Sequence, residues 1–293
     1  MNQYLTAIGF GDIESKKELY EILTQVEQKF TQHELTLQDG EMDFCEFRKE
    51  YSEGIGISLF GDMDMNSHFQ KQYYFPYFTG KGITSYADVA VERRSDREAY
   101  IGICEDSKIA INLIFHVQNT LEYLRMCQLS SQGRVQYMSV TLSALSNEGM
   151  ILFPVSKNKY QEKRQQEDIH NRMKLVNAAK SGDPAAIESL TLDDIDTYSK
   201  VSRRLISEDI FSIVDTSIMP FGIECDKYSI LGTILKYTVT ENKLTKEELY
   251  IMDLEVNDLR FSLCVPKARV VGEPANGRRF KGNIWLQGKI NFD

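Results

Sequence analysis

The sequence predicts an α+β protein: an N-terminal mixed sheet with packed helices, a central helical segment, and a C-terminal small antiparallel β-barrel of OB-like or SH3-like type. Three observations predict it. Phe280–Phe292 alternates apolar and polar residues along its whole length, the signature of a strand with one buried face. Leu249–Val256 and Leu259–Val265 alternate as well, and a two-residue Asn257-Asp258 turn brings both apolar rows to the same face. At Lys157 the composition changes to a charged, helix-prone stretch, which separates the strand-rich ends of the chain. The expected division is therefore an α+β part over 1–156, a helical connecting segment over 157–212 and a barrel over 213–293.

The first element reads as a helix from about Glu14 to Phe30, because Leu19, Ile22, Leu23, Val26 and Phe30 recur at helical spacing; Asp12 or Ser15 caps it. Strands follow. Met42, Phe44 and Phe47 suggest one, and Ile55, Ile57 and Leu59 alternate in a second. The aromatic run from His68 to Phe78 suggests a third, Val89 and Val91 a fourth, Ile101 and Ile103 a fifth. Ile109–Cys127 reads as a long amphipathic helix, with Ile111, Ile114, Phe115, Gln118, Leu121 and Leu124 on one side. Val135–Leu145 and Met150–Val155 return to strand character. Residues from Lys157 to Lys174 read as an exposed helix. Gly182 stops a helix, Asp183 caps the next and Pro184 suits its first turn; a further helix is expected from about Leu192 to Ile206. Tyr228–Val239 is a strand whose apolar residues change phase near Ile234, which calls for a bulge there. In the last strand Gly282 and Gly288 fall on the apolar face and suggest bends at barrel corners.

Composition narrows the function classes. With 34 basic and 43 acidic residues among 293 the net charge is -9, which disfavours non-specific attraction to nucleic acid or anionic lipid. The five cysteines, Cys45, Cys104, Cys127, Cys225 and Cys264, are odd in number and lack a CxxC pair, so a reducing cytoplasm is expected and a disulfide framework or zinc site is not. The N-terminus does not read as a signal peptide, and no apolar run has the length of a membrane span.

The candidate ligand residues cluster in the last strand. Alternation puts Trp285 on its polar face between Lys281 and Lys289, an arrangement that can hold a single-stranded nucleic acid, while Arg278 and Arg279 offer a grip for a small anion. The more ordinary expectation is that Trp285 lies outside the barrel core and is covered by the helices between Lys157 and Ile206, because an exposed indole forfeits about 2 kcal/mol of burial. Elsewhere, Asp62, Asp64 and Asn66 have the first spacings of a calcium loop, but Ser67 and Tyr73 stand where glycine and glutamate are required, so a hairpin turn is expected. Arg93, Arg94 and Arg97 are interleaved with Glu92, Asp96 and Glu98, as on a salt-bridged surface. His116 has Asn112 and Thr120 one helical turn away on either side. Asp193, Asp194 and Asp196 read as acids of a first helical turn. The glycines of Phe78–Thr84 lack a phosphate-loop continuation, and no nucleophile elbow or HExxH is present.

Four stretches together resemble a known family: YFPYFTGKGIT (Tyr74–Thr84), ERRSDREAYIGIC (Glu92–Cys104), the run from Asp194 to Gly232, and GEPANGRRFKGNIWLQGKINF (Gly272–Phe292). The chain resembles the clostridial protein family catalogued as domain of unknown function 3881, across essentially its whole length. The resemblance implies a bacterial, cytoplasmic protein and carries over no activity, cofactor or catalytic residue.

The expected function is that of a non-enzymatic binding or regulatory module. It needs no cofactor or metal, is not tied to a membrane, and takes a protein or a small anionic ligand as partner. Two alternatives stand beside it. One is an enzyme with a dispersed active site for a small molecule or nucleotide, with His116, Asp62 and Asp106 as candidates; the other is single-strand binding through the C-terminal barrel. A pocket gathering several titratable groups favours the enzyme, and a flat face centred on Trp285 favours the module.

Overall fold

The computed structural model describes residues 2–13, 15–36, 42–94, 99–106, 111–129, 137–155, 171–172, 174–204 and 210–292. Among the described residues strands dominate, in two sheets. The smaller has four antiparallel strands in sequential order: β1 (Gln32–Thr36), β2 (Met42–Ser52), β3 (Ile55–Asp64) and β4 (Phe69–Phe78). The larger has eleven and draws on both ends of the chain. From the first half come β5 (Val89–Arg93), β6 (Tyr100–Cys104), β7 (Leu113–Val117), β8 (Tyr137–Leu145) and β9 (Gly149–Leu152). The second half adds β10 (Ser217–Pro220), β11 (Lys227–Glu241), β12 (Glu248–Val256), β13 (Leu259–Pro266), β14 (Val270–Val271) and β15 (Arg279–Phe292).

The fold expected from the sequence is corrected here. The chain is mostly strand rather than α+β with a central helical segment, and the residues of 213–293 close no small barrel among themselves. β8, from the first half, pairs parallel with β13 and antiparallel with β15 and so stands between them. β15 is the strand on which the others assemble: it pairs with β11 and β9 through its first half and with β8 and β7 through its second. The polar row of β15 was expected to face outward, covered at Trp285 by the helices between Lys157 and Ile206. That face is covered. Trp285 and Gln287 on the polar row are buried, like Ile284 and Leu286 on the apolar row.

Two apolar cores result. One lies inside the large sheet and contains Phe115, Leu142, Tyr228, Leu254, Phe261, Phe280, Ile284 and Ile290. The other lies between the two sheets and contains Phe44, Ile57, Phe60, Phe75, Leu145, Cys264 and Trp285. Gly282 and Gly288 serve the first core as spaces for rings rather than as barrel corners. A Cβ on Gly288 would stand 2.5 Å from the Phe115 ring, and one on Gly102 would stand 2.2 Å from the same ring. These glycines let an aromatic side chain lie flat on a neighbouring strand.

Local readings held where periodicity was unambiguous. α1 (Lys16–Gln28) carries a capping box between Ser15 and Glu18 and buries Leu19, Ile22, Leu23 and Val26. β11 breaks register with β12 between Ile234 and Lys236, where the phase change calls for a bulge. β3 and β4 form the expected hairpin, with Asp64 Oδ1 accepting from the backbone N–H groups of Asn66 and His68 at 2.8 Å each. β12 and β13 pair through Asn257-Asp258, and Met252, Leu254, Phe261 and Leu263 are all buried.

Two local readings are corrected. Ile109–Cys127 is not one helix: its described part splits into β7 and α2 (Thr120–Leu129). Ile111, Leu113, Phe115 and Val117 also satisfy period 2, and pairing with β6 and β15 decides between the periods. The helices expected to start near Pro184 and near Leu192 are a single helix, α3 (Pro184–Arg204), so Asp193, Asp194 and Asp196 fall in its middle. Gly182 (φ 85°) and Asp183, whose Oδ1 accepts from Ala185 N, act as expected at its start. A 3-10 helix, Gln3–Ile8, precedes α1 and was not expected. The exposed helix read for 157–174 falls mostly outside the described residues.

The hairpin turn yields a test. Asn257 (φ 47°) and Asp258 (φ 63°) both occupy the left-handed region, as a two-residue turn of matching twist requires. Asp258→Gly removes the Cβ penalty and is expected to raise stability by about 0.5–1 kcal/mol. A lower urea midpoint for that variant would contradict the turn conformation.

Candidate functional site

β4 of the small sheet meets β7 and β15 of the large sheet beside a cavity of about 320 Å³. Its residues come from six separate parts of the chain. The 3-10 helix supplies Tyr4; its N-cap Asn2 accepts from Tyr4 N through its side chain and donates its own N–H to Tyr74 Oη at 2.9 Å, tying the N-terminus to β4. Tyr73, Tyr74 and Phe75 come from β4, Arg94 from just beyond β5, His116 from β7 and Trp285 from β15. Glu224, Asp226 and Lys227 come from the turn into β11, held there because Lys227 pairs with Trp285 across the β11–β15 ladder.

Asp226 organises the polar side. It is 1% exposed. Its Oδ2 accepts from Trp285 Nε1 at 2.9 Å and from an Arg94 guanidinium nitrogen at 3.3 Å. Its Oδ1 has no hydrogen-bond donor among the described residues. A buried carboxylate oxygen in that condition is uncommon and costly. Lys227 Nζ and Glu224 form a second ion pair at 2.7 Å, with the ammonium 5.5 Å from the centre of the Tyr4 ring. Burial, reinforced by Asp226 and Glu224, pushes the Tyr4 phenol well above its ordinary range, so it remains a neutral hydroxyl.

Aromatic rings form the rest of the wall. Trp285 lies 5.4 Å from Tyr4, 5.1 Å from His116 and 6.3 Å from Phe75 between ring centres. It does lie on the side of β15 away from the Phe280, Ile284, Leu286 and Ile290 row, as alternation predicts. Its cover is different from the one expected. Tyr4, Phe75 and His116 cover the indole, and at 7% exposure no open ring face remains for a base to stack on.

The other residues singled out in the last strand are not gathered with Trp285. Lys281 Nζ stands 4.0 Å from the centre of the Phe211 ring. Arg278 lies over Phe153 and donates to the Glu273 carbonyl. Arg279 is buried and donates to the carbonyls of Phe153, Val214 and Phe211 at 2.7–2.9 Å. Both guanidinium groups are thus engaged within the chain. Lys289 is exposed near the far end of β15. Of the enzyme candidates, His116 lines the cavity, on a strand rather than a helix; Asp62 bonds Gln72, and Asp106 accepts from Ser85 at 2.6 Å. Arg94 leaves the expected salt-bridged surface to join Asp226, while Asp96, Arg97 and Glu98 lie outside the described residues. Sequence reasoning missed Tyr4, Arg94 in this role, Glu224, Asp226 and Lys227. The signal available for the last three was a short charged stretch just ahead of a strong strand, a place where loops often carry function.

A separate polar joint fastens the sheets behind the cavity. Gln118 Nε2 donates to Phe78 O and Gln287 Oε1, each at 2.8 Å, and Gln287 Nε2 donates to Pro76 O at 2.8 Å. Arg48, paired with the buried Glu46, donates to the Gln118 carbonyl. This network keeps β4 against β15 and so holds the cavity walls at a fixed separation.

Among the described residues no cluster of three His, Cys, Asp or Glu side chains is placed to hold a metal ion, and no helix is long and apolar enough to cross a membrane. No curated protein and no solved structure matches the chain. One family model does match, described as "Domain of unknown function, E. rectale Gene description (DUF3881)", over residues 5–288. That span takes in nearly every strand of both sheets and all the cavity residues except Asn2, Gln3 and Tyr4, and the chain belongs to this family.

Proposed function

We propose that this chain is a bacterial, cytoplasmic binding protein that takes a small polar molecule into the cavity beside Trp285. One observation carries the reading: the buried Asp226 carboxylate, held by Trp285 and Arg94, lines a cavity that aromatic rings also wall. Binding sites for small molecules commonly combine apolar walls with a few fixed polar groups in about 300–1,000 Å³; this lining is more polar than apolar, which suits a polar ligand. The cavity is at the small end of that range, which suits a metabolite rather than a polymer.

Trp285 is the only tryptophan, so its emission reports directly on the cavity. A library of small polar metabolites is expected to contain members that change this emission saturably and raise the melting temperature together. A library that moves neither would sink the reading.

A second reading, as an enzyme, is favoured by the gathering of His116, Asp226, Glu224 and Lys227 on one cavity, since each can accept or donate a proton. Incubating a bound compound with the protein and looking for a new mass separates the two. Under the enzyme reading His116→Gln abolishes conversion and leaves binding; under the binding reading no conversion is seen.

A further inference from the structure

We infer that the ligand of this cavity is dipolar, carrying an ammonium and an anionic group on one small framework, as a free amino acid does. The inference rests on the cavity reading above and adds the chemical class of what enters.

Charge compensation selects a dipolar ligand. The cavity is lined by two ion pairs, Arg94 with Asp226 at 3.3 Å and Lys227 with Glu224 at 2.7 Å. Three of these four side chains are largely shielded from water: Asp226 is 1% exposed, Lys227 14% and Arg94 22%. A ligand of a single sign would draw one partner out of its pair and leave the opposite charge shielded and uncompensated, which is strongly unfavourable. A dipolar ligand exchanges partners without that penalty. Its ammonium meets Asp226, and its anionic group meets Arg94 or Lys227, all of which line the cavity. The count of charges is the same before and after.

The walls agree with the ammonium half of this assignment. Tyr73 and Tyr74, both half-buried, line the same cavity as Asp226 and Glu224. Aromatic faces beside a carboxylate attract a desolvated cation through the ring quadrupole. Lys227, held near the Tyr4 ring, already uses one such face. The same rings offer an apolar surface for a ligand side chain. Asn2 and Gln3, at the rim, supply neutral hydrogen-bonding groups.

The test uses the whole chain and three probes that share one side chain. Phenylalanine carries both charges, phenylalaninamide only the ammonium, and N-acetylphenylalanine only the carboxylate. None of them contributes an indole, so Trp285 emission reads each titration. Phenylalanine is expected to bind saturably, and each singly charged analogue to bind about tenfold or more weakly. Equal binding of either analogue would overturn the dipolar assignment and leave the cavity reading standing. Failure of all three, with success elsewhere in a metabolite library, would also overturn it; failure of every compound would remove the cavity reading itself. A variant supplies an independent check. Glu224→Gln removes the partner of the shielded Lys227, so it should lower the melting temperature, and far-UV circular dichroism shows whether the chain still folds. It frees Lys227 from its pair, so it should weaken phenylalaninamide and strengthen N-acetylphenylalanine. A change in the same direction for both analogues would contradict the inference.

Discussion

Trp285→Ala is expected to cost about 3–5 kcal/mol of stability, the usual range for truncating a buried large aromatic side chain. Two losses combine in it. The indole is almost wholly buried in the core between the sheets, against Tyr4, Phe75 and His116. Its N–H is also one of the donors that satisfies Asp226, which is itself buried. Trp285→Phe separates the two losses. It keeps most of the ring packing and removes the donor, so its cost should be about 1–3 kcal/mol. Urea denaturation followed by far-UV circular dichroism measures both, since neither variant retains a tryptophan. An alanine variant within about 0.5 kcal/mol of the parent, the usual effect of a surface substitution, would show that the indole does not hold the sheets together.

Arg279→Met should cost about 3 kcal/mol or more, because three backbone carbonyls lose their donor at once. The planar guanidinium reaches the Phe153 carbonyl after β9 and the Phe211 and Val214 carbonyls ahead of β10. It therefore ties two segments to the start of β15. Burial lowers its pKa, with Asp215 acting in the opposite sense, so the charge is held at some expense and its hydrogen bonds must offset that. Arg279→Lys should recover little, since a single ammonium cannot span carbonyls that a forked group joins. Hydrogen exchange gives the local readout: amides of 211–218 should lose protection in both variants, while the β12–β13 hairpin keeps its own. Parental stability for Arg279→Met would leave these three hydrogen bonds without energetic weight.

The same two residues show how far the sequence reaches. Alternation identified β15, placed Trp285 opposite Phe280 and Ile284, and located the β12–β13 hairpin with its turn. Those features depend on neighbours in the chain, and local spacing records them directly. The α1 capping box and the β11 bulge are of the same kind. Arg279 looked like a charged strand entrance because nothing near it in sequence announces three carbonyls from 65 to 126 residues away.

Periodicity states that one face of a strand is apolar; it does not state what covers the other face. The polar row of β15 contains Trp285 and Gln287; Tyr4, Phe75 and His116 cover the first, while Gln287 bonds the Gln118 amide and reaches the Pro76 carbonyl of the small sheet. A covered polar row and a solvated one have the same alternation, so the barrel reading followed from the pattern and failed on the packing. β8 raised the same difficulty, since its place between β13 and β15 joins strands more than a hundred residues apart. The cavity lies further still from local rules. Asp226 acquires its role only when β15 brings Trp285 to it, and when the ends of β5 and of the 3-10 helix bring Arg94 and Tyr4. Strand identity, turn chemistry and helix caps were set by short-range sterics and hydrogen bonding that the residues themselves encode. Which strands became neighbours, and which charges were enclosed together, was decided by the burial of two cores at once.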